Sequence, residues 1–191
     1  MTRFALAVVF VLLLAGCGGD SESSEGGPST VPASQCDPVS GASLTKKLSP
    51  ASQDRETMFL TDVETEIEDC VERVTFKFKE SEPGPGYEAN FEPEQVAKIQ
   101  DGSGDPIAVA GGDFLVVRMF PAMTAEIEGE DVKPTYEGPR SIPAPTDARF
   151  IREVAQTGDF ESRLTWAIGL DNKHPFTVTT SADELVVEIG T

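Results

Sequence analysis

Histidine and basic clusters are scarce in this sequence. Its 191 residues include a single histidine, His174, and 15 lysines and arginines against 33 aspartates and glutamates, for a formal net charge of −18. Imidazole is the usual neutral-pH base and the commonest transition-metal ligand, so most metal and acid–base chemistries are disfavoured. Nucleic-acid binding needs clustered lysine and arginine, and no basic run exceeds Lys46-Lys47. We therefore predict a protein that is not an enzyme, carries no metal or cofactor and has no nucleic-acid partner.

Long helical patterns are also missing. The chain has 17 glycines and 14 prolines, a composition typical of many turns and loops. Residues 94–100 are the one segment predicted as a short helix. From about Met58 onward, apolar and polar residues alternate, which indicates strands with one buried face. The predicted strands are residues 58–63, 74–79, 87–91, 107–110, 114–120, 150–155, 160–168, 176–180 and 185–189.

Turn-forming residues separate these strands, among them residues 101–104 and Gly158-Asp159. Several short strands without intervening helices predict an all-β fold, an antiparallel sandwich or barrel, over residues 57–191. Residues 121–148 differ from the rest because they hold five prolines and show little periodicity. A loop of that length in a compact domain is usually functional or mobile.

The amino terminus has the features of a secretion signal. Arg3 supplies the positive start, and residues 4–14 form an apolar run of eleven residues. Such a run is too short to span a bilayer, which needs about twenty helical residues. It ends in Leu14-Ala15-Gly16-Cys17, which resembles a bacterial lipobox. Residues 1–16 are therefore predicted to be a lipoprotein signal peptide, with diacylglycerol attached to Cys17 as the membrane anchor.

Large apolar side chains are missing after the signal. No aromatic residue occurs between Phe10 and Phe59, and glycine, serine, proline and acidic residues dominate. A segment this poor in apolar groups cannot offset the entropy lost on ordering. Residues 17–56 are therefore predicted to be a flexible tether.

Two further cysteines remain, Cys36 and Cys70. Export would place them in an oxidising compartment, so a disulfide between them is the preferred prediction, with two free thiols as the alternative. Such a bridge would also fasten part of the tether to the domain.

A series of motifs in the domain carries a family resemblance. The motifs are FLTDV (59–63), ERVTFKF (72–78), PGPGY (83–87), DGSGDPIAVAG (101–111), YEGPR (136–140), GDFESRLTWAIGLD (158–171) and PFTV (175–178). Their order and spacing resemble the AMIN-like domain of actinobacterial lipoproteins. The resemblance implies a β-sandwich targeting module that binds peptidoglycan or envelope proteins.

Candidate binding residues are few. Tyr136 and Arg140 lie in the proline-rich segment, where binding residues tend to concentrate, so they are the candidate ligand or partner contacts. Trp166 shares a face with Leu164 and Ile168, which favours core packing over sugar stacking. His174 is expected in a surface loop. In residues 101–105, side chains that carry oxygen stand at every second position, as they do in calcium-binding loops. A tight turn is favoured instead, because the twelfth position of an EF-hand loop needs a glutamate and is Gly112 here.

Together these features predict a lipid-anchored binding module on the extracytoplasmic face of the cell membrane. Its expected target is peptidoglycan or an envelope protein. The alternative is a small-ligand-binding lipoprotein with a pocket in the β domain, and a cell-wall hydrolase is the less favoured third reading.

Overall fold

The computed structural model describes residues 36–50, 55–79 and 83–190. The predicted signal peptide, the lipidation site Cys17 and the tether up to residue 35 lie outside these ranges. In the described ranges, no helix has the length and apolar composition needed to cross a membrane.

Short strands make up most of the described chain. The strands are β1 (Lys47–Leu48), β2 (Met58–Glu68), β3 (Val71–Phe78), β4 (Gly86–Glu92), β5 (Asp113–Phe120), β6 (Ala122–Met123), β7 (Ala125–Glu128), β8 (Asp131–Pro134), β9 (Ser141–Pro143), β10 (Ile151–Phe160), β11 (Arg163–Leu170), β12 (Phe176–Thr180) and β13 (Glu184–Ile189). The helix α1 (Glu94–Ala97) is a single turn inside the segment predicted as helical.

Two sheets face each other across one core. The six-stranded sheet has the order β1-β4-β5-β11-β10-β9, and the five-stranded sheet has the order β12-β13-β3-β2-β6. Their neighbouring strands run antiparallel except for β2 and β6, which are parallel. A separate ribbon pairs β7 with β8. The all-β, mainly antiparallel architecture is therefore confirmed, with two sheets layered as in a sandwich.

The core lies between the two sheets. Trp166 on β11 is fully buried, and its ring meets Phe76 of β3 edge-on at a centroid distance of 5.7 Å. These two residues belong to opposite sheets, so the inward faces predicted from the alternating pattern pack together. The prediction that Trp166 is a core residue is confirmed.

The outer face of the six-stranded sheet is also covered. A second apolar cluster joins Ala97 of α1 and Val109 to Phe114, Val116 and Ala167 on the sheet. The predicted strand over residues 107–110 is wrong. These residues cross the outer face of the six-stranded sheet and do not pair with a strand at its edge. Their approach depends on Gly169, where a Cβ atom would lie 1.8 Å from the Ala110 carbonyl oxygen.

One predicted strand is in fact a hairpin. The alternation over residues 160–168 continues through Glu161 and Ser162, but both have positive φ angles, 51° and 57°. Two consecutive residues in this region form the tight turn that matches strand twist, so β10 ends at Phe160 and β11 begins at Arg163. The predicted turn at Gly158-Asp159 lies inside β10, next to a register shift.

The segment before the domain is more ordered than predicted. Cys36 is bonded to Cys70 with a Cα–Cα distance of 5.6 Å, which confirms the predicted disulfide. Further along, Ser43 bridges Phe176, and β1 pairs with β4. Backbone hydrogen bonds and the disulfide, not apolar burial, hold this segment. The folded unit therefore includes residues 36–50, which the composition had assigned to the tether.

The proline-rich segment is not one loop. Residues 121–148 contain the short strands β6, β7, β8 and β9. Each is two to four residues long, too short for an alternating pattern to show in the sequence. β9 extends the six-stranded sheet beside β10, and this places Arg140 at the sheet edge.

Candidate binding cleft

Two adjoining depressions beside the β10–β11 turn form what we call the hairpin cleft. The first has a volume of about 330 Å³ and is lined by residues 100–103, Arg140 and residues 156–160. The second has a volume of about 280 Å³ and adds Arg118, Glu161 and Arg163. Both share Asp101, Gly102 and Phe160, so they form one continuous surface feature of a size that suits a small ligand or one unit of a polymer.

The 101–104 turn forms one wall of the cleft. Gly102 and Gly104 have positive φ angles of 88° and 77°, which glycine adopts without strain. The Asp101 amide donates to the Thr157 carbonyl at 2.8 Å, and its Oδ2 accepts from Thr165 Oγ1 at 2.6 Å. The favoured prediction of a tight turn is confirmed. Over the described parts of the chain, no three His, Cys, Asp or Glu side chains are grouped so that they could hold a metal ion.

An exposed aromatic ring forms the centre of the cleft. Phe160 ends β10 and is 53% exposed. Its ring lies over Gly102, where an added Cβ would be 3.4 Å from the ring atoms. The β10–β11 turn and the glycine thus hold a flat apolar surface in contact with solvent. The alternating pattern does not predict this exposure, because it places Phe160 on the inward face of a longer strand over residues 160–168.

One charged hydrogen-bond donor, Arg140, lines the cleft with this ring. Arg140 is exposed, and its guanidinium group pairs with no side chain in the described part of the chain. The backbone carbonyl of Arg140 accepts a hydrogen bond from the backbone N–H of Gln156 at 2.7 Å, so the two residues are adjacent. The Gln156 side chain lies on the core face of the sheet, because β10 and β11 pair Gln156 with the core residue Trp166. It is only 7% exposed, and its side-chain nitrogen is buried without an acceptor among the described residues. Buried donors are nearly always paired, so this one needs an explanation.

Tyr136 does not share the cleft with Arg140. It is 9% exposed, and its ring packs edge-on against Trp166 at 5.8 Å. Its hydroxyl donates to the Pro139 carbonyl at 2.7 Å. Burial, with a smaller contribution from Asp62, raises the pKa of Tyr136. Of the two candidate contacts, only Arg140 lines the cleft, and Tyr136 holds the chain that leads to it.

The charges in the cleft nearly balance. Its acidic side chains are Asp101, Asp159 and Glu161, and its basic side chains are Arg118, Arg140 and Arg163. Arg118 contacts Glu88 and Glu92 at 3.5 Å and 3.3 Å, so its charge is already matched. Without Arg118, three carboxylates and two arginines line the cleft, in a chain with a net charge of −18.

His174 lies away from the cleft, between β11 and β12. Its Nε2 contacts Asp171 Oδ1 at 2.8 Å, and its ring lies 4.3 Å from the ring of Phe150. Burial tends to raise the pKa of Asp171, but hydrogen bonds from His174 and Asn172 outweigh it, and the pKa is lowered. The pair therefore stabilises a connection between strands, in the loop position expected for His174.

Comparison with known protein families identifies the domain. The family model of the AMIN-like domain matches residues 58–191. No curated protein and no solved structure gives a significant match.

Proposed function

Because the chain belongs to the AMIN-like domain family, we propose that it is a non-enzymatic binding module on the outer face of the cell membrane, anchored by lipid on Cys17. AMIN-like domains are binding modules rather than catalytic ones, and they suggest peptidoglycan or envelope proteins as targets. The family match over residues 58–191 is the observation that carries this proposal. The hairpin cleft is its binding surface.

The lipid anchor is supported by the sequence alone. The apolar run and the Leu14-Ala15-Gly16-Cys17 motif end 19 residues before Cys36, where the folded unit is fixed. A fully extended chain covers at most about 3.6 Å per residue, so Cys36 stays within roughly 70 Å of a lipid attached to Cys17. The target must lie within reach of a domain held at that distance.

We predict that Cys17→Ser releases the protein from the membrane. Without the thiol, no diacylglyceryl group can be attached, and stable anchoring by two acyl chains is lost. Fractionation of expressing cells should move the protein from the membrane fraction to the soluble fraction. Ser23→Ala is the matched control and should stay with the membrane; a Cys17→Ser variant that also stays there would contradict lipid anchoring at this residue.

We predict that the mature chain carrying Cys17→Ser is retained on purified peptidoglycan or recovers a specific envelope protein. Arg140→Ala should reduce that retention about tenfold, because a charged donor contributes about 1.5 kcal/mol or more to a hydrogen bond. Lys77→Ala removes a cation from the other sheet and should bind as the parent does. If Arg140→Ala binds the target as well as the parent does, the binding site lies outside the hairpin cleft. If the parent binds neither peptidoglycan nor an envelope protein, the proposed function is refuted.

The alternative of an apolar small-ligand pocket is not favoured by the geometry. Side chains such as Trp166 and Phe76 fill the space between the sheets, and most of the residues that line the open hairpin cleft are of polar or charged types. Pockets for small apolar ligands are concave and lined mainly by hydrophobic groups.

A further inference from the structure

We propose that the free edge of β2 binds an extended segment of a partner protein that carries lysine or arginine at every second residue. The segment would add a strand to the five-stranded sheet. β2 contributes none of the described residues that line the hairpin cleft, so this is a second surface. The proposal goes beyond the proposed function because it assigns this surface a partner of its own.

β2 is paired along one side only. It runs from Met58 to Glu68, and β3 pairs with it over most of that length. On the other side, β6 pairs only with Met58 and Phe59. Over residues 61–68, no strand in the described part of the chain occupies that side. An unpaired edge of this length is a template for another strand.

The hydrogen-bonding pattern of the sheet shows which backbone groups are free. The Phe78 amide donates to the Asp183 carbonyl, so the even-numbered residues of β3 bond to β13 and the odd-numbered ones bond to β2. The β2 residues opposite these odd-numbered ones include Glu64, Glu66 and Glu68. Thr65 and Ile67 alternate with them and therefore direct their N–H and C=O groups away from β3. Among the described residues, these groups of Thr65 and Ile67 have no hydrogen-bond partner.

The other edges of the two large sheets offer less. β1 has two residues, and β9 has three and ends in Pro143. On β12, Ser43 bridges Phe176, and the Val178 carbonyl accepts from the Tyr87 hydroxyl at 3.4 Å. Within the described ranges, β2 therefore has the longest open edge of these sheets.

Acidic side chains line this edge. Glu64, Glu66 and Glu68 alternate with the free backbone groups, and the side chains of the last two are 57% and 69% exposed. Lys77 contacts Glu64 at 2.6 Å. The single guanidinium of Arg73 contacts Glu66, Glu68 and also Glu188. These four carboxylates share two cations, so negative charge remains along the edge.

This charge selects the occupant. Residues opposite each other in paired strands project on the same face, so lysine or arginine at alternate positions of the partner would lie against the three glutamates. A second copy is disfavoured, because β2 paired with itself at Thr65 places Glu64 opposite Glu66. The chain's own residues 17–35 contain three acidic residues and no lysine or arginine, so they would be repelled. The glutamates thus oppose self-association and favour a cationic strand from another protein.

Fluorescence anisotropy of a labelled peptide tests the proposal on the mature Cys17→Ser chain. The probe has the sequence KTKVKTK with blocked ends. One control peptide is N-methylated at its threonines and valine, whose amides would face β2, and the other is N-methylated at its lysines, whose amides would face away. Both controls keep every lysine charge. We expect the first control to bind about tenfold more weakly than the probe, because it cannot donate to the Thr65 and Ile67 carbonyls, and the second to bind as the probe does.

A proline variant tests the edge from the side of the protein. Thr65→Pro removes a free N–H and leaves the β3 ladder intact, since proline is tolerated on an edge strand with its nitrogen facing outward. It should weaken binding of the probe about tenfold, with the fold checked by thermal unfolding. Thr180→Pro makes the same change on β12, at the other edge of this sheet, and should bind as the parent does.

Charge variants test the selection of the partner without altering the backbone. The double variant Glu66→Gln, Glu68→Gln should weaken binding of the probe about fivefold. It should also reduce the loss of affinity that added salt causes, because exposed ion pairs are screened. The double variant Glu128→Gln, Glu130→Gln changes the net charge equally on the β7–β8 ribbon and should bind as the parent does.

Hydrogen exchange identifies what occupies the edge. The Thr65 and Ile67 amides should exchange fast in the free protein and slowly when the probe is bound. Protection of these amides in a free monomer would assign the edge to the protein's own chain. A dimer that Thr65→Pro dissociates would assign it to a second copy. Either result would overturn the proposal.

Equal binding of the probe and both methylated peptides would also overturn it, by showing attraction through charge alone. Retention on peptidoglycan is measured in parallel, and Thr65→Pro should be retained as the parent is. Failure of the probe to bind a protein that is retained on the wall would therefore reject the β2 site and leave the proposed function standing.

Discussion

Replacing Glu72 with alanine should lower the free energy of unfolding by about 3–5 kcal/mol, a large share of a typical domain's 5–15 kcal/mol. Glu72 lies on β3 and is fully buried. Its carboxylate accepts from the backbone amides of Arg149, Phe150 and Ile151, at 3.0 Å and 2.7 Å for the last two. Ile151 begins β10, so this one side chain joins the two sheets. Its removal leaves buried N–H donors without partners, and each costs about 1–3 kcal/mol.

Denaturant unfolding of matched variants would measure this effect. Glu72→Gln keeps one acceptor oxygen but turns an NH₂ group toward the same amides, so it should lose an intermediate amount. Glu64→Ala is the control, because Glu64 contacts Lys77 on an exposed surface of the five-stranded sheet and should change stability by less than about 1 kcal/mol. Equal stability of the Glu72 and Glu64 variants would show that the three amides find other partners.

Removing the disulfide should cost about 3–4 kcal/mol by the chain-entropy estimate for a loop of this length. Cys36 and Cys70 are 34 residues apart in sequence, and the bond ties the amino-terminal segment to the β2–β3 turn. The double variant Cys36→Ala, Cys70→Ala avoids free thiols that could cross-link. Thermal and denaturant unfolding of oxidised parent and double variant give the comparison.

Reduction offers a second test of the same bond. Reducing agent should bring the parent to the stability of the double variant and leave the double variant unchanged. Residues 36–50 should then become sensitive to protease first, since β1 has only two paired residues, Lys47 and Leu48. A parent whose stability does not respond to reduction would contradict a structural role for the bond.

Alternation of apolar and polar residues was sufficient to predict most of the fold. The strand over 176–180 was predicted with the observed bounds, because it has one face in the core and a turn at either end. The strand over 114–120 was placed within one residue for a different reason, since its continuous apolar run packs on both faces of the sheet. The same rule failed at 160–168, where Glu161 and Ser162 kept the period across a turn. It failed at 107–110 for another reason, since the apolar residues there cover the outside of a sheet.

The site was less accessible to sequence reasoning. Arg140 and Tyr136 were predicted as contacts only because they lie in the proline-rich segment. Arg140 lines the cleft, whereas Tyr136 is buried. Phe160 lies over Gly102 because of the tight β10–β11 turn, which the alternating pattern does not reveal. Glu72 was equally hidden, because a charged residue in an alternating strand reads as solvent-facing until the opposite sheet is known.

The positions of the disulfide and of Glu72 define how this molecule would carry tension. A lipid anchored at one end and a wall polymer held at the other would stretch the domain between them. Force entering at Cys36 bypasses the weak β1 pairing, because the covalent bond transfers it to Cys70 at the start of β3. Two residues later Glu72 holds the amides that begin β10, and β10 runs directly to Phe160 in the cleft. In that arrangement, force between the lipid and the ligand would pass through the disulfide and the Glu72 hydrogen bonds before it reached the cleft.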